Sequence, residues 1–288
     1  MYNCLTMTDF GGAIRATNEY DIAILGIPYD DKSSYMKGAA QGPYAIRQAS
    51  TGLMTNEFTE SGLSLELETA MVDLGDVDVS GDYVRLTGRI LEALRTILGR
   101  GAAPIVLGGD HSVTYPLVKA VAEKYRPLDI LHFDAHPDFY DELYDDPHSH
   151  ACSFARIMED RLAQNLVQVG IRAASTPQRL NAAKSGARWI EMKDLPDRLL
   201  LEFKNPLYIS FDMDALDPAF APGVSHHESG GLSPRQAISI IQAVKARVVA
   251  ADVVELNPAR DPLAISAAAA VKVVKEIAGK IVEGRKSG

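Results

Sequence analysis

Four short stretches concentrate groups that bind metal ions or move protons. "GGDHS" holds Asp110, His111 and Ser112, and "HFDAHPD" sets Asp134, His136 and Asp138 two residues apart. "SFDMDALDP" holds Asp212, Asp214 and Asp217, and "VVELNP" holds Glu255. Read alone, any one of these carboxylates is a turn or cap residue, because Asp favours such positions. Read together they imply different chemistry. Carboxylates crowded into one space resist ionisation unless cations join them. Two divalent ions balance four aspartates, and a mixed carboxylate and imidazole set suits manganese, iron, cobalt, nickel or zinc better than magnesium or calcium. A dinuclear metal site is the expectation.

Each stretch follows an apolar run. Runs at 21–27, 70–77, 103–109, 128–136, 166–172, 206–214 and 247–257 lack strict polar alternation, the mark of strands covered on both faces. Helical patterns lie between them, at 83–101, 112–125, 151–160, 233–246 and 264–284, and Ser233-Pro234 is a helix start. Strands alternating with helices predict an α/β fold with a parallel sheet, read as one domain over 1–288 with its core at about 22–284. In such sheets ligands bind at the C-terminal ends of the strands, where all four stretches sit. Alternate strand residues face one side. Asp134, His136 and Asp138 therefore converge if the extended backbone persists to Asp138, and so do Asp212 and Asp214. His132, inside its apolar run, reads as a core residue.

Composition narrows the partners. The 288 residues are 47% hydrophobic and 23% charged, with 15 prolines, as in a globular protein. A net charge of -9 argues against nucleic acid or an anionic membrane and suits a small cationic substrate. Two cysteines, Cys4 and Cys152, form no spacing motif and fit a reducing cytoplasm. No apolar run approaches the roughly 20 residues of a membrane span, and the N-terminus lacks a signal pattern.

In this order the four stretches resemble the ureohydrolases: arginase, agmatinase and their relatives. "KGAAQGPYAIRQAS" (37–50) is similar to the glycine-rich segment before that family's first long helix, and "VDLGDV" (72–77) is similar too. The resemblance covers about residues 22–258 and implies a three-layer α/β/α fold around a mostly parallel sheet. It implies two Mn²⁺ ions, with Co or Ni also compatible with the ligand types. His111, Asp134, Asp138 and Asp212 would hold one, and His136, Asp134, Asp212 and Asp214 the other. A hydroxide between the ions would attack the guanidinium carbon. The chemistry needs such help, because guanidinium stays protonated above about pH 12 and water is a weak nucleophile until a metal lowers its pKa. Asp138 would also aim the nucleophile. Glu255 resembles the family's guanidinium-binding carboxylate, whose two oxygens match a planar donor fork. His150, in "HSHACSF", resembles its proton-shuttling histidine, with His148 the neighbouring choice. Relatives form trimers or hexamers, so a homo-oligomer is expected.

The substrate follows less directly. Ser149-His150-Ala151 is similar to the Ser-His-Gly of agmatinases, with Ala151 a departure. The acidic run Asp141, Glu142, Asp145 and Asp146 would favour a cationic tail if it faced the pocket, and is otherwise an exposed loop. Val224–Glu228 stands where the family often has a Gly-Thr-Gly-Thr-Pro-like stretch, which makes His226 and Glu228 either substrate contacts or solvated loop residues. A pocket arginine or lysine would favour an acid, and Arg156 and Arg172 have no position from sequence. The leading expectation is agmatine hydrolysis to putrescine and urea. The alternatives are arginase, guanidinobutyrate or guanidinopropionate hydrolase and formimidoylglutamase, followed by a one-zinc deacetylase or a non-catalytic ligand-binding homologue.

Overall fold

The apolar runs become strands of one sheet. The computed structural model describes residues 9–11, 13, 19–51 and 55–286. Its strands are β1 (Ile22–Gly26), β2 (Met71–Asp76), β3 (Ala103–Leu107), β4 (Asp129–Phe133), β5 (Asn165–Ile171), β6 (Arg188–Glu191), β7 (Leu207–Asp212) and β8 (Val248–Val254). They pair in the order β2-β1-β3-β8-β7-β4-β5-β6, and every pair is parallel. Periodicity does not single out β6, which has four residues at the sheet edge, only one of them buried.

The helices are α1 (Gly42–Ser50), α2 (Leu65–Glu68), α3 (Tyr83–Gly99), α4 (Thr114–Lys124), α5 (Ser153–Glu159), α6 (Thr176–Ser185), α7 (Pro234–Ala243) and α8 (Ile265–Lys286). α7 starts as expected: Ser233 and Gln236 form a reciprocal cap ahead of Pro234. α1 lies inside the segment expected only to precede a helix. α6 was not legible from apolar periodicity, because it buries little besides Gln178 and Ala182. Its Ser175/Gln178 capping box is the signal that could have found it.

Period-two alternation along each strand feeds two apolar layers. Ile105 and Leu107 face one layer together with α1, α7 and α8. Val106 faces the other, with α3, α4 and α5. The fold is thus three-layer α/β/α. Each buried Leu or Ile contributes roughly 1.5–3 kcal/mol by leaving water, which keeps the strand ends rigid under the loops they carry.

Two close approaches position those loops. At Gly109, just after β3, a Cβ would lie 1.8 Å from the Tyr29 carbonyl oxygen. The bare glycine lets Asp110 N–H reach that oxygen at 2.8 Å. Gly170, in β5 at φ +104°, passes the Asp134 carbonyl, where a Cβ would come within 2.9 Å. No helix of the described residues is long and apolar enough to cross a membrane.

Candidate metal centre

The four middle strands β3, β8, β7 and β4 are neighbours, and each ends in one of the stretches rich in titratable groups. His111 opens a 3-10 turn after β3, capped by Asp110, whose side chain accepts from Ser112 N–H at 3.0 Å. Glu255 follows β8 at φ 63°, Asp212 ends β7, and Asp214 sits in the turn beyond it.

The structure corrects one step. β4 ends at Phe133, so extended alternation does not persist to Asp138. A loop turns Asp138 instead, through a left-handed backbone at φ 54°. Local hydrogen bonds hold that loop: His136 N–H donates to Asp134 Oδ1 at 2.6 Å, and Ala135 N–H to Asp214 Oδ1 at 3.1 Å.

The expected ligands come together. His111 Nδ1 lies 3.2 Å from Asp134 Oδ2, 3.1 Å from Asp138 Oδ2 and 3.1 Å from Asp212 Oδ2. His136 Nδ1 lies 3.0 Å from Asp214 Oδ2 and 3.5 Å from Asp134 Oδ1. Asp134 thus faces both imidazoles, one oxygen to each. His111 Nδ1 and Asp134 Oδ2 are buried and yet make no hydrogen bond of acceptable geometry. Three oxygens about one nitrogen at this spacing, with no shared proton in line, are what donors around one cation at about 2.0–2.2 Å would show. The residues therefore fit divalent metal, and bound divalent ions would satisfy the orphaned atoms.

Electrostatics agree. Burial raises the Asp212 carboxyl well above the ordinary range, and Asp214 and Asp134 add to the rise. Asp214 is raised chiefly by burial as well. Burial opposes charge on His111, but Asp134, Asp138 and Asp212 outweigh it and lift the imidazole well above its usual value. Without metal the cluster recruits protons as its cations.

Several partners escaped the sequence reading. His132 does more than fill core. It is buried and stacks on Phe154 at 3.8 Å, and its Nε2 stands 2.8 Å from Asp134 Oδ2. Gln168 Nε2 sits 2.8 Å from its Nδ1, which makes that nitrogen the acceptor, while Nε2, close to Asp134 Oδ2, makes no aligned hydrogen bond. His132 precedes Asp134 by two, so period-two reasoning could have found the contact. His111 Nε2 meets Ser210 Oγ at 3.0 Å, and Ser210 donates to Asp252 Oδ1 at 2.7 Å. Asp252 also accepts from Tyr208 and Thr114 hydroxyls, at 2.6 and 2.9 Å. This chain fixes the His111 ring.

Above the cluster opens a cavity of about 330 Å³. His136, Asp138, Asp212, Asp214, His150 and Glu255 line its floor; Tyr140, Leu143, Ala173, Ser175 and Gln178 line the rest, with Ser34 and His226 beside His150. His150 Nδ1 is 2.8 Å from Glu255 Oε1, which also accepts from His111 N–H at 2.9 Å. Burial works against charge on His150, but Glu255, with Asp110 and Asp138 behind it, raises the imidazole to about 9. His148 packs between Tyr83 and Tyr115 and does not line the cavity.

Of the tentative contacts, His226 reaches the cavity, and burial holds its imidazole below the usual value. Glu228 is half-exposed and stays 3.8 Å from His136 Nε2. The carboxylates of the acidic run do not line the cavity, although Leu143 within it does: Asp141, Glu142 and Asp145 are exposed, and Asp146 pairs with Lys32 at 2.6 Å. Arg156 braces that loop through the Asp141 and Pro147 carbonyls, at 2.7 and 3.1 Å. Arg172 donates to the Asp214 and Glu228 carbonyls, at 2.6 and 2.7 Å. Neither arginine lines the cavity.

Comparison with known proteins agrees with this architecture. The sequence model of the arginase family matches residues 20–279. Arginase 1, mitochondrial, of Arabidopsis thaliana is 44% identical over 287 residues, covering 94% of this chain and 82% of that one. An agmatinase of Chromobacterium violaceum is 38% identical over 264 residues, covering 88% and 81%. The solved structure of arginase from Medicago truncatula superposes with a TM-score of 0.86 at 40% identity, covering 91% of this chain and 87% of the other. With strand order, strand-end donors and family model in agreement, the chain belongs to the arginase family of ureohydrolases.

Proposed function

We propose that the chain hydrolyses the guanidinium group of L-arginine to urea and ornithine, using two divalent ions held by His111, Asp134, His136, Asp138, Asp212 and Asp214. The observation that carries the hydrolysis is the orphaned His111 Nδ1 facing three carboxylates. Manganese is the expected ion. When bound, such a pair lowers the pKa of water and supplies a nucleophile at neutral pH.

The chain's own groups do the rest. Glu255 has a lone-pair capacity of about four sites, two of them occupied by His111 N–H and His150 Nδ1. Both fall on Oε1, which leaves Oε2 to accept from the guanidinium N–H groups. With its imidazole raised to about 9 by Glu255, His150 readily takes up a proton at neutral pH and is the acid for the departing amine.

The choice of arginine over agmatine rests on the outer cavity. Its lining there is Tyr140, Leu143, Ala173, Ser175 and Gln178, without a charge. Agmatine carries an isolated ammonium at that end, and no carboxylate of the acidic run lines the cavity to pair with it. An α-amino acid head is dipolar with zero net charge and suits neutral hydrogen-bonding groups. Relatives named arginase at 44% identity support the same reading. Agmatine is the second reading, favoured by the 38% identical agmatinase. A homo-oligomer, trimeric or hexameric, and a cytoplasmic setting remain proposals from resemblance and cysteine usage.

The test is urea release from Mn²⁺-loaded protein offered arginine, agmatine, guanidinobutyrate and guanidinopropionate in parallel. Arginine should lead by at least about tenfold, a difference of about 1.4 kcal/mol in barrier. A lead for agmatine would replace arginine as substrate, and silence on all four would end the ureohydrolase reading.

A further inference from the structure

Both ring nitrogens of His150 are already engaged. An imidazole has one in-plane position at each nitrogen. Nδ1 faces Glu255 Oε1 at 2.8 Å. Nε2 accepts from the Ser34 backbone N–H at 3.1 Å and lies 2.8 Å from the Ser34 hydroxyl Oγ. A proton leaving Nε2 for the cavity therefore meets Ser34 first. Ser34 itself lines the cavity beside Asp138, Asp212 and His226. Its other side-chain partner, His226 Nε2, stands at 3.5 Å, a long contact that a substrate nitrogen in the cavity can replace.

We propose that the Ser34 hydroxyl is a catalytic residue that relays the proton between His150 and the nitrogen leaving the guanidinium carbon. This rests on the hydrolysis reading above. The loop is built for such a task. Lys32 N–H donates to buried Asp110 at 2.9 Å, Lys32 carbonyl accepts from His150 N–H at 3.3 Å, and Ser33 N–H reaches Asp30 carbonyl at 3.3 Å. The hydroxyl is thus tied to the strand end that carries His111 and to the backbone of His150.

The step balances. As the carbon–nitrogen bond breaks, its electron pair stays on nitrogen. That nitrogen takes the Ser34 hydroxyl proton, and the oxygen takes the Nε2 proton of the charged ring. The attacking water loses two protons overall. Each passes through the same hydroxyl to Nε2, which accepts in the described structure, and returns by that route to the nitrogen, so the amine leaves as ammonium.

The experiment uses the metal-loaded enzyme with whichever guanidino compound it turns over. Ser34→Ala should lower kcat about 10²-fold, within the range for a lost acid–base step, with KM and metal content unchanged, and Ser34→Thr should recover most of it. In the His150→Asn background, Ser34→Ala should cost almost nothing further, because members of one relay act as a unit. Metal-free protein supplies a second readout: the ¹⁵N signal of His150 Nε2, identified by its loss in His150→Asn, should move in Ser34→Ala. Near-normal kcat in Ser34→Ala, losses that multiply in the double variant, or an unmoved Nε2 signal would each overturn the relay while leaving hydrolysis intact. A wild type inert toward every guanidino compound would overturn both.

Discussion

Carboxylate and imidazole residues were legible at their positions because metal chemistry demands those types whatever the surroundings. Their neighbours were less so. His132 reads as core from its apolar run, and only the fold puts its Nε2 2.8 Å from Asp134. Ser34 carries no motif, and it meets His150 across 116 positions of sequence. His150 also ties residue chemistry to stability. Its imidazole rises from 6.5 to about 9 in the fold, where Glu255, Asp110 and Asp138 outweigh the opposing effect of burial. A raised pKa contributes stability that is fully present below about pH 6.5 and lost as pH climbs through about 9. At about 1.4 kcal/mol per unit, the contribution is at most about 3 kcal/mol. Chemical denaturation of metal-free protein should therefore weaken between those pH values, and His150→Asn should flatten part of that slope. Parallel slopes for variant and wild type would place the charge elsewhere.

Elements were read best where apolar periodicity was strong. Seven strands and the helices α3, α4, α5, α7 and α8 follow from runs and caps. Edge strand β6 and polar helix α6 do not, since neither buries enough apolar surface to leave a pattern. A geometric constraint at this scale makes a sharper prediction. β5 shifts register against β6 between Val169 and Ile171, and Gly170 in that irregularity lies against the Asp134 backbone. Its φ of +104° is a conformation L side chains rarely adopt. Gly170→Ala should cost about 1–3 kcal/mol in strain and should displace Asp134, which faces both imidazoles. Denaturant midpoints should fall and manganese titration should show weaker binding. Lost stability with unchanged metal affinity would mean that β5 does not position the centre.

The whole molecule couples folding to metal. Burial disfavours charge on Asp212 and Asp214, so these two oppose the compact state until cations neutralise them. A ligand at 100 times its Kd adds about 2.7 kcal/mol of stability per site. Chelated protein should melt several degrees below the Mn²⁺-loaded form and release no urea, and re-addition of Mn²⁺ should restore both. An unchanged melting temperature would show that the cluster is held by hydrogen bonds alone. At this scale the sequence by itself determined the donor types, their spacing and their placement at strand ends, because periodicity and turn chemistry are local. Strand order was decided only in three dimensions: it makes β3, β8, β7 and β4 neighbours, so that residues more than 140 positions apart, such as His111 and Glu255, share one hydrogen bond. The tertiary fold also left the carboxylates of the acidic run out of the cavity lining while placing Leu143 in it. No local pattern encodes that choice, since it depends on how Lys32, 114 positions away, and Arg156 pin one loop.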